Sequence, residues 1–275
     1  MLPVFKPCEL VTLIYSMWHS GFSEKRNPFT RCYHRGEEEA CECLKQFGRT
    51  REEQTRTYYL WAQTVPLLMW RYFSLYNLTE FTQIVADMVP PLAVANLLRV
   101  KDWYHYFKGA TVADLFAGAC GWLMSFLYMP SHYTPRKWIA YDIDARRLQM
   151  CRFVGRELGV DVTVVRRDLS TPAKLNGAEV VVGSPPCREF TAAKTSAPRR
   201  ADEGLRLVKS FLESAVAAEP ALALMEEAPT AKDAYSAIAR LVSSYGFSHE
   251  LIPLRDYGAI QYRRVRLIAW RAARL

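Results

Sequence analysis

No stretch of the 275-residue chain reaches 18 consecutive apolar residues, which excludes an ordinary membrane-spanning helix. The opening residues include Lys6 and Glu9 and lack the basic, apolar and small-residue succession of a secretory signal. Cysteine is scarce and odd in number, seven in all, in a chain long enough to bury a core without covalent staples. Free thiols in a reducing compartment are therefore expected, and with them a cytoplasmic or nucleoid-associated protein. Internal repeats and low-complexity tracts are also missing, and the composition is not that of a disordered chain.

What is abundant is apolar and basic. Half of the residues (50%) are hydrophobic and 13% are aromatic, enough for a sizeable core. The formal net charge is +8 and favours a polyanionic partner. Between Arg255 and Leu275 six arginines face a single acid.

Residues 1–78 read as a helical, aromatic region, with a capping-box pattern from Thr50 to Glu53 ahead of a long helix and a break at Pro66. Cys32, His34, Cys41 and Cys43 are all zinc-ligand types. Their Cys-x-His and Cys-x-Cys spacings differ from the Cys-x2–4-Cys pairs of structural zinc sites, and a helix over 36–47 turns Cys41 and Cys43 to different faces. No metal is expected.

From residue 79 to 275 the texture changes. A helix ending near Arg99 precedes an alternation of strands and helices. The strands are expected at 111–116, 138–142, 162–165, 179–182, 221–226, 248–253 and 266–271, with helices over 145–158 and 204–218 among them. This is the doubly wound α/β pattern, in which ligands sit outside the carboxyl ends of the strands.

Those strand ends carry the chemistry-bearing residues. The first runs into Asp114-Leu115-Phe116-Ala117-Gly118-Ala119-Cys120-Gly121-Trp122, a small, glycine-containing turn that lets a ligand approach the backbone. It is not Gly-x-Gly-x-x-Gly, which disfavours a dinucleotide. The second ends in Tyr141-Asp142-Ile143, about 25 residues on, where an acid accepts hydrogen bonds from ribose hydroxyls. Asp168-Leu169 follow the third. Three acids at successive strand ends around one turn describe an adenosine-type pocket. The fourth strand stops at Gly183, and Ser184-Pro185-Pro186-Cys187 places one cysteine on an extended platform. Standing alone, that cysteine reads equally well as a small buried hydrophobe.

Asp-Leu-Phe-Ala-Gly at 114–118, Pro-Pro-Cys at 185–187 followed by Phe190-Thr191, Glu226 after an apolar strand, Tyr257-Gly258 and Gln261-x-Arg263 together resemble the cytosine carbon-5 methyltransferases, in that family's order and spacing over roughly residues 110–270. The segment Ala86-Asp87-x-Val89-Pro90-Pro91 is similar to the family's last motif, normally near the C-terminus, and its place ahead of the first motif implies a circularly permuted member.

The resemblance implies a Rossmann-like methyltransferase fold with a mainly helical N-terminal extension, and S-adenosyl-L-methionine as methyl donor. Asp114, Leu115, Phe116, Ala117, Gly118 and Gly121 would surround the methionine part, Asp142 the ribose and Asp168 the adenine, with Trp122, Ile143, Leu169 and Pro185 also on the cofactor side. Cys187 would be the nucleophile, Glu226 the partner of the base edge, and Arg263 the group that orients the base. Ser184, Pro186, Arg188, Gln261, Arg264 and Arg266 would face the substrate. A base within duplex DNA must be flipped to reach such a pocket, and the basic stretch 188–203 would close over it.

Three departures stand out. Arg188 replaces the family's glutamine, Glu227-Ala228 replace Asn-Val after Glu226, and Val265 stands where a second arginine is usual, flanked by Arg264 and Arg266. Little chain follows the Gln-x-Arg segment, so target recognition falls to residues 1–78 or to a partner subunit. RNA, including tRNA, is the alternative substrate. A non-catalytic nucleic-acid-binding relative is the other alternative, against which the retention of both Cys187 and Glu226 argues.

Overall fold

The computed structural model describes residues 88, 89, 91–186, 201–227, 232–252, 254–257 and 266–270. The chain divides into two compact units, Met1–Asp87 and Met88–Leu275. The expected helices of the N-terminal region and the Cys32, His34, Cys41, Cys43 set lie outside the described residues.

The second unit begins with helix α1 (Pro91–Val100). Strand β1 (Thr111–Leu115) is followed by a short helix α2 (Gly121–Met124), then β2 (Lys137–Asp142), α3 (Ala145–Leu158) and β3 (Asp161–Arg166). The chain then crosses back to β4 (Val180–Gly183), α4 (Ala201–Ala218), β5 (Leu222–Met225) and α5 (Lys232–Ser244). Strands β1 to β5 form one parallel sheet in the order β3-β2-β1-β4-β5. The chain winds outward from β1 in one direction and then from β4 in the other, so the switch point lies between β1 and β4.

Composition explains the order. Every residue of β1, β4 and β5 is buried, as parallel strands covered on both faces require. In β3, Asp161, Thr163 and Arg166 are exposed, which suits an edge. Helix α3 starts where the Asp144 carboxylate accepts a hydrogen bond from the Arg146 N–H, and it ends at Gly159, whose φ of 68° is the left-handed cap geometry that glycine adopts without strain. Helix α4 opens three residues before the expected start, with Asp202 and Glu203 in its first turn, where carboxylates complement the helix dipole.

Period-two alternation sends Ala113, Leu115, Val181, Ala223 and Met225 into one core with Val208, Phe211, Leu212, Ile238 and Val242 of α4 and α5. Elsewhere in the core, Phe107, Phe126 and Trp138 pack ring to ring, with centroids 5.2 and 6.2 Å apart.

Two expectations are corrected. The last two strands, β6 (Ser248–Ile252) and β7 (Arg266–Trp270), pair antiparallel with each other and form a separate two-stranded sheet, with β7 close beside β5. The alternation of strands and helices could not reveal this, because period-two patterning is the same in both strand senses. Cys120 and Cys151, expected as free thiols, are joined by a disulfide between the β1–α2 turn and α3, with Cα atoms 5.2 Å apart and both residues fully buried. Closing a loop of that sequence separation, 31 residues, stabilises the fold by about 3–4 kcal/mol in the chain-entropy picture. Among the described residues, no helix is long and apolar enough to cross a membrane.

Candidate functional site

The sheet register brings three strand ends to one level. Leu115 of β1 pairs with Gly183 of β4, and Gly183 pairs with Met225 of β5. One residue further, Ser184 N–H donates to Leu115 O at 3.2 Å and Glu226 N–H donates to Gly183 O at 2.9 Å. The Ser184-Pro185-Pro186 platform therefore leaves the sheet directly between the glycine-containing turn and Glu226.

That turn is tightly wound. Phe116, Gly118 and Cys120 have φ of 57°, 52° and 59°. For Phe116 and Cys120 the left-handed region costs on the order of 1–2 kcal/mol each, and the disulfide at Cys120 helps hold the conformation. Asp142 closes the turn from β2: its Oδ2 accepts from Gly118 N–H and its Oδ1 from Asp144 N–H, each at 2.8 Å. Each carboxylate oxygen keeps a further lone pair for a ligand hydroxyl. Ile143, beside it, is 61% exposed, an apolar side chain at the rim. Asp168 is exposed, and its Oδ1 accepts from Ser170 N–H at 2.8 Å. That backbone donor, with the Ser170 hydroxyl and Arg206 adding to it, holds the Asp168 carboxyl below the usual range.

Asp114 differs from the other two strand-end acids. It is fully buried, its Oδ2 accepts from Trp138 Nε1 at 3.2 Å, and Cys120 Sγ lies 3.9 Å away. As a disulfide sulfur, Cys120 has no proton to give, and Oδ1 has no hydrogen-bond partner. Burial pushes the Asp114 carboxyl well above its ordinary value; the Trp138 bond opposes this and the Asp142 charge adds to it. An acid raised in this way binds more protons folded than unfolded, so stability falls as pH rises from the unfolded carboxylate range, about 4, toward the folded value. Asp114→Asn removes the titration and keeps an acceptor for Trp138. The difference in urea midpoint between pH 5 and pH 8 is expected to shrink in this variant; an unchanged profile would show that Asp114 does not govern it.

Leu115, Ala117 and Leu169 are buried, whereas Phe116 and Gly118 are half-buried at the turn. Gly121 is held by contact: a Cβ there would stand 2.5 Å from Val89 O and 2.8 Å from Met88 Cγ. The segment preceding α1 is thus packed directly on the turn. Trp122 is only 2% exposed, and its indole N–H donates to Ser184 Oγ at 3.1 Å. Pro185 is buried and Pro186 exposed.

Glu226 and Glu227 are 4% and 0% exposed. Both lie just past the end of β5. Cys187, Arg188, Gln261, Arg263 and Arg264 lie outside the described residues, as does the basic stretch 188–200. The backbone of Arg266 opens β7, paired with Ile252. Among the described residues no group of three or more His, Cys, Asp or Glu side chains is arranged to hold a metal ion.

Sequence reasoning missed the Trp138–Asp114 bond, the Cys120–Cys151 bridge and the Trp122–Ser184 bond. They join residues 24, 31 and 62 positions apart, and no local pattern encodes such pairs.

No family model matches the chain, and no curated protein matches its sequence. Among solved structures it is similar to an S-adenosylmethionine-dependent methyltransferase from Clostridium acetobutylicum, at 8% identity over 75% of this chain and 98% of that one, with a TM-score of 0.47. It is similar to TrmN from Thermus thermophilus, at 20% identity over 67% of this chain and 49% of that one, with a TM-score of 0.46. It is also similar to a ribosomal protein L11 methylase from Lactobacillus delbrueckii subsp. bulgaricus, at 13% identity over 66% and 77% of the two chains, with a TM-score of 0.42.

Proposed function

We propose that the protein transfers a methyl group from S-adenosyl-L-methionine to carbon 5 of cytosine in DNA. The observation that carries this reading is the register of the strand ends. The platform that leads to Cys187 and the buried Glu226 leave adjacent strands at one level, beside the turn at the switch point. The donor fits the residues present. Asp142 offers acceptors for ribose hydroxyls, the exposed Ile143 offers an apolar face to adenine, and the Phe116–Gly121 turn exposes backbone to the methionine part. The packing of Val89 on Gly121 supports the permuted reading, in which a Val-Pro-Pro segment moved ahead of the first motif still sits against it.

Bound S-adenosyl-L-methionine supplies an electrophilic methyl group on a sulfonium. Carbon 5 of cytosine is too poor a nucleophile to take it directly. Cys187 adds its thiolate sulfur to carbon 6, forming a C–S bond and shifting the ring electrons to carbon 5. Glu226 hydrogen-bonds the N3 and amino edge, stabilising charge as the adduct forms. Carbon 5 then takes the methyl group as its bond to the sulfonium sulfur breaks, the electron pair returning to sulfur and leaving a neutral thioether. Its proton is lost to water, the C–S bond breaks, and the thiolate leaves. Arg263 orients the base, and Arg188, Gln261, Arg264 and Arg266 contact the flipped nucleotide or its backbone.

The test is transfer of labelled methyl from S-adenosyl-L-methionine to duplex DNA and, in parallel, to tRNA, with bisulfite sequencing of DNA from an expressing host. Protected cytosines in host DNA are expected. Label in tRNA alone would move the substrate to RNA, and label in neither would overturn the reading.

A further inference from the structure

Between Gly183 and residue 187 the chain has few means of orienting itself. Pro185 and Pro186 carry no N–H, so Ser184 supplies the only backbone donor of the three-residue platform. That donor is committed to Leu115 O, at the end of β1. The Ser184 side chain is committed as well, because its Oγ accepts from Trp122 Nε1 at 3.1 Å. Ser184 is half-buried and Trp122 almost wholly so, which puts this bond where water competes poorly. Trp122 is itself anchored. It lies two residues after Cys120, which the disulfide ties to α3, and one after Gly121, which packs on Val89. The two polar ties of Ser184 therefore run to the end of β1 and to the segment that follows it, the cofactor side of the proposed site.

We infer that the Trp122–Ser184 hydrogen bond is a positioning device that fixes the direction in which the Ser184–Pro186 platform leaves β4 on the way to Cys187. Two consecutive prolines fix φ at both following positions, which leaves the platform fewer torsions with which to absorb an angular change at Ser184. Neither residue touches reacting atoms in this role. Trp122 acts through Ser184, and Ser184 acts through the prolines. The inference rests on the methyltransferase reading above and adds two residues whose effect is on geometry.

The experiment measures single-turnover trapping of the full chain on a 5-fluorocytosine duplex, and on the corresponding RNA, with S-adenosyl-L-methionine. Calorimetric binding of S-adenosylhomocysteine and the thermal midpoint are measured alongside. Ser184→Ala removes the acceptor and Trp122→Phe removes the donor while keeping an aromatic ring. Each is expected to slow adduct formation by at least about tenfold, within the range that small misplacements of reacting groups produce. Affinity of Ser184→Ala for S-adenosylhomocysteine should stay within about twofold, because Asp142 and the Phe116–Gly121 turn, which are proposed to hold the donor, are untouched. The double variant should be no slower than the slower single, since both changes delete one bond. Ser184→Thr keeps the hydroxyl and should recover most of the rate. Wild-type rates in both single variants would overturn the inference. So would multiplicative losses in the double variant, or losses that follow the thermal midpoint. If Trp122→Phe does not fold, the comparison of Ser184→Ala with Ser184→Thr decides alone. If the wild-type protein traps neither DNA nor RNA, the methyltransferase reading falls and takes this inference with it. Trapping by the wild type with unaffected variants sinks only the inference.

Discussion

Cys187→Ala is expected to abolish the covalent adduct on 5-fluorocytosine DNA and to lower methyl transfer on the order of 10³-fold or more, with the fold intact. The size of the effect follows from the chemistry. Without a sulfur on carbon 6 the ring electrons are not delivered to carbon 5, and no other side chain in the Ser184–Pro186 platform carries a nucleophile of comparable strength. Intact folding is expected because the polar ties of the platform lie at Ser184, upstream of the substitution. Denaturing gel electrophoresis of trapping reactions reads the adduct, and circular dichroism reads the fold. An adduct that survives in Cys187→Ala would move the nucleophile elsewhere. Loss of structure in the variant would return Cys187 to the role of a buried hydrophobe.

Gly183→Ala is expected to destabilise the second unit by about 2–3 kcal/mol, the upper part of the range for overpacking a tight interior. A Cβ at Gly183 would stand 2.5 Å from Leu115 O and 2.8 Å from Phe211 Cε2. The first neighbour is backbone of the adjacent central strand and cannot swing aside, while Phe211 is 1% exposed and has no free volume to retreat into. Relief requires β1 and β4 to separate at the residue that precedes the platform, so methyl transfer should fall together with stability. Gly177→Ala is the contrast. Nothing lies within 4 Å of a Cβ there, and the cost is limited to the left-handed φ of 71°, about 1–2 kcal/mol. Urea denaturation of the two variants orders these costs. A Gly183→Ala midpoint at or above that of Gly177→Ala would refute the steric account. For a unit of this size each kcal/mol corresponds to about 2–4 °C in Tm.

The parallel core of the fold was legible in the amino-acid sequence. The runs at β4 and β5 are apolar without alternation, which is the mark of strands covered on both faces, and α3 lies between Asp144 and Gly159, which are its observed caps. The site was legible as a set of strand ends, because a parallel sheet must bring its carboxyl ends to one side whatever the details of packing. Asp142 accordingly ends β2, and Ser184 and Glu226 directly follow β4 and β5, all at the carboxyl ends of one parallel sheet.

Only the tertiary structure decided how those ends are used. Asp114 and Asp142 look alike in sequence, each the acid near the end of a strand. Packing buries Asp114 against Trp138 and leaves Asp142 half-exposed to close the turn. Trp122 is a buried donor to Ser184, and Cys120 is tied to Cys151. The antiparallel turn of β6 and β7 belongs with these. Periodicity reports which residues are covered, since burial follows local alternation. Which distant group covers them, and in which strand sense, is set by contacts between residues tens of positions apart, for which the linear pattern holds no signal.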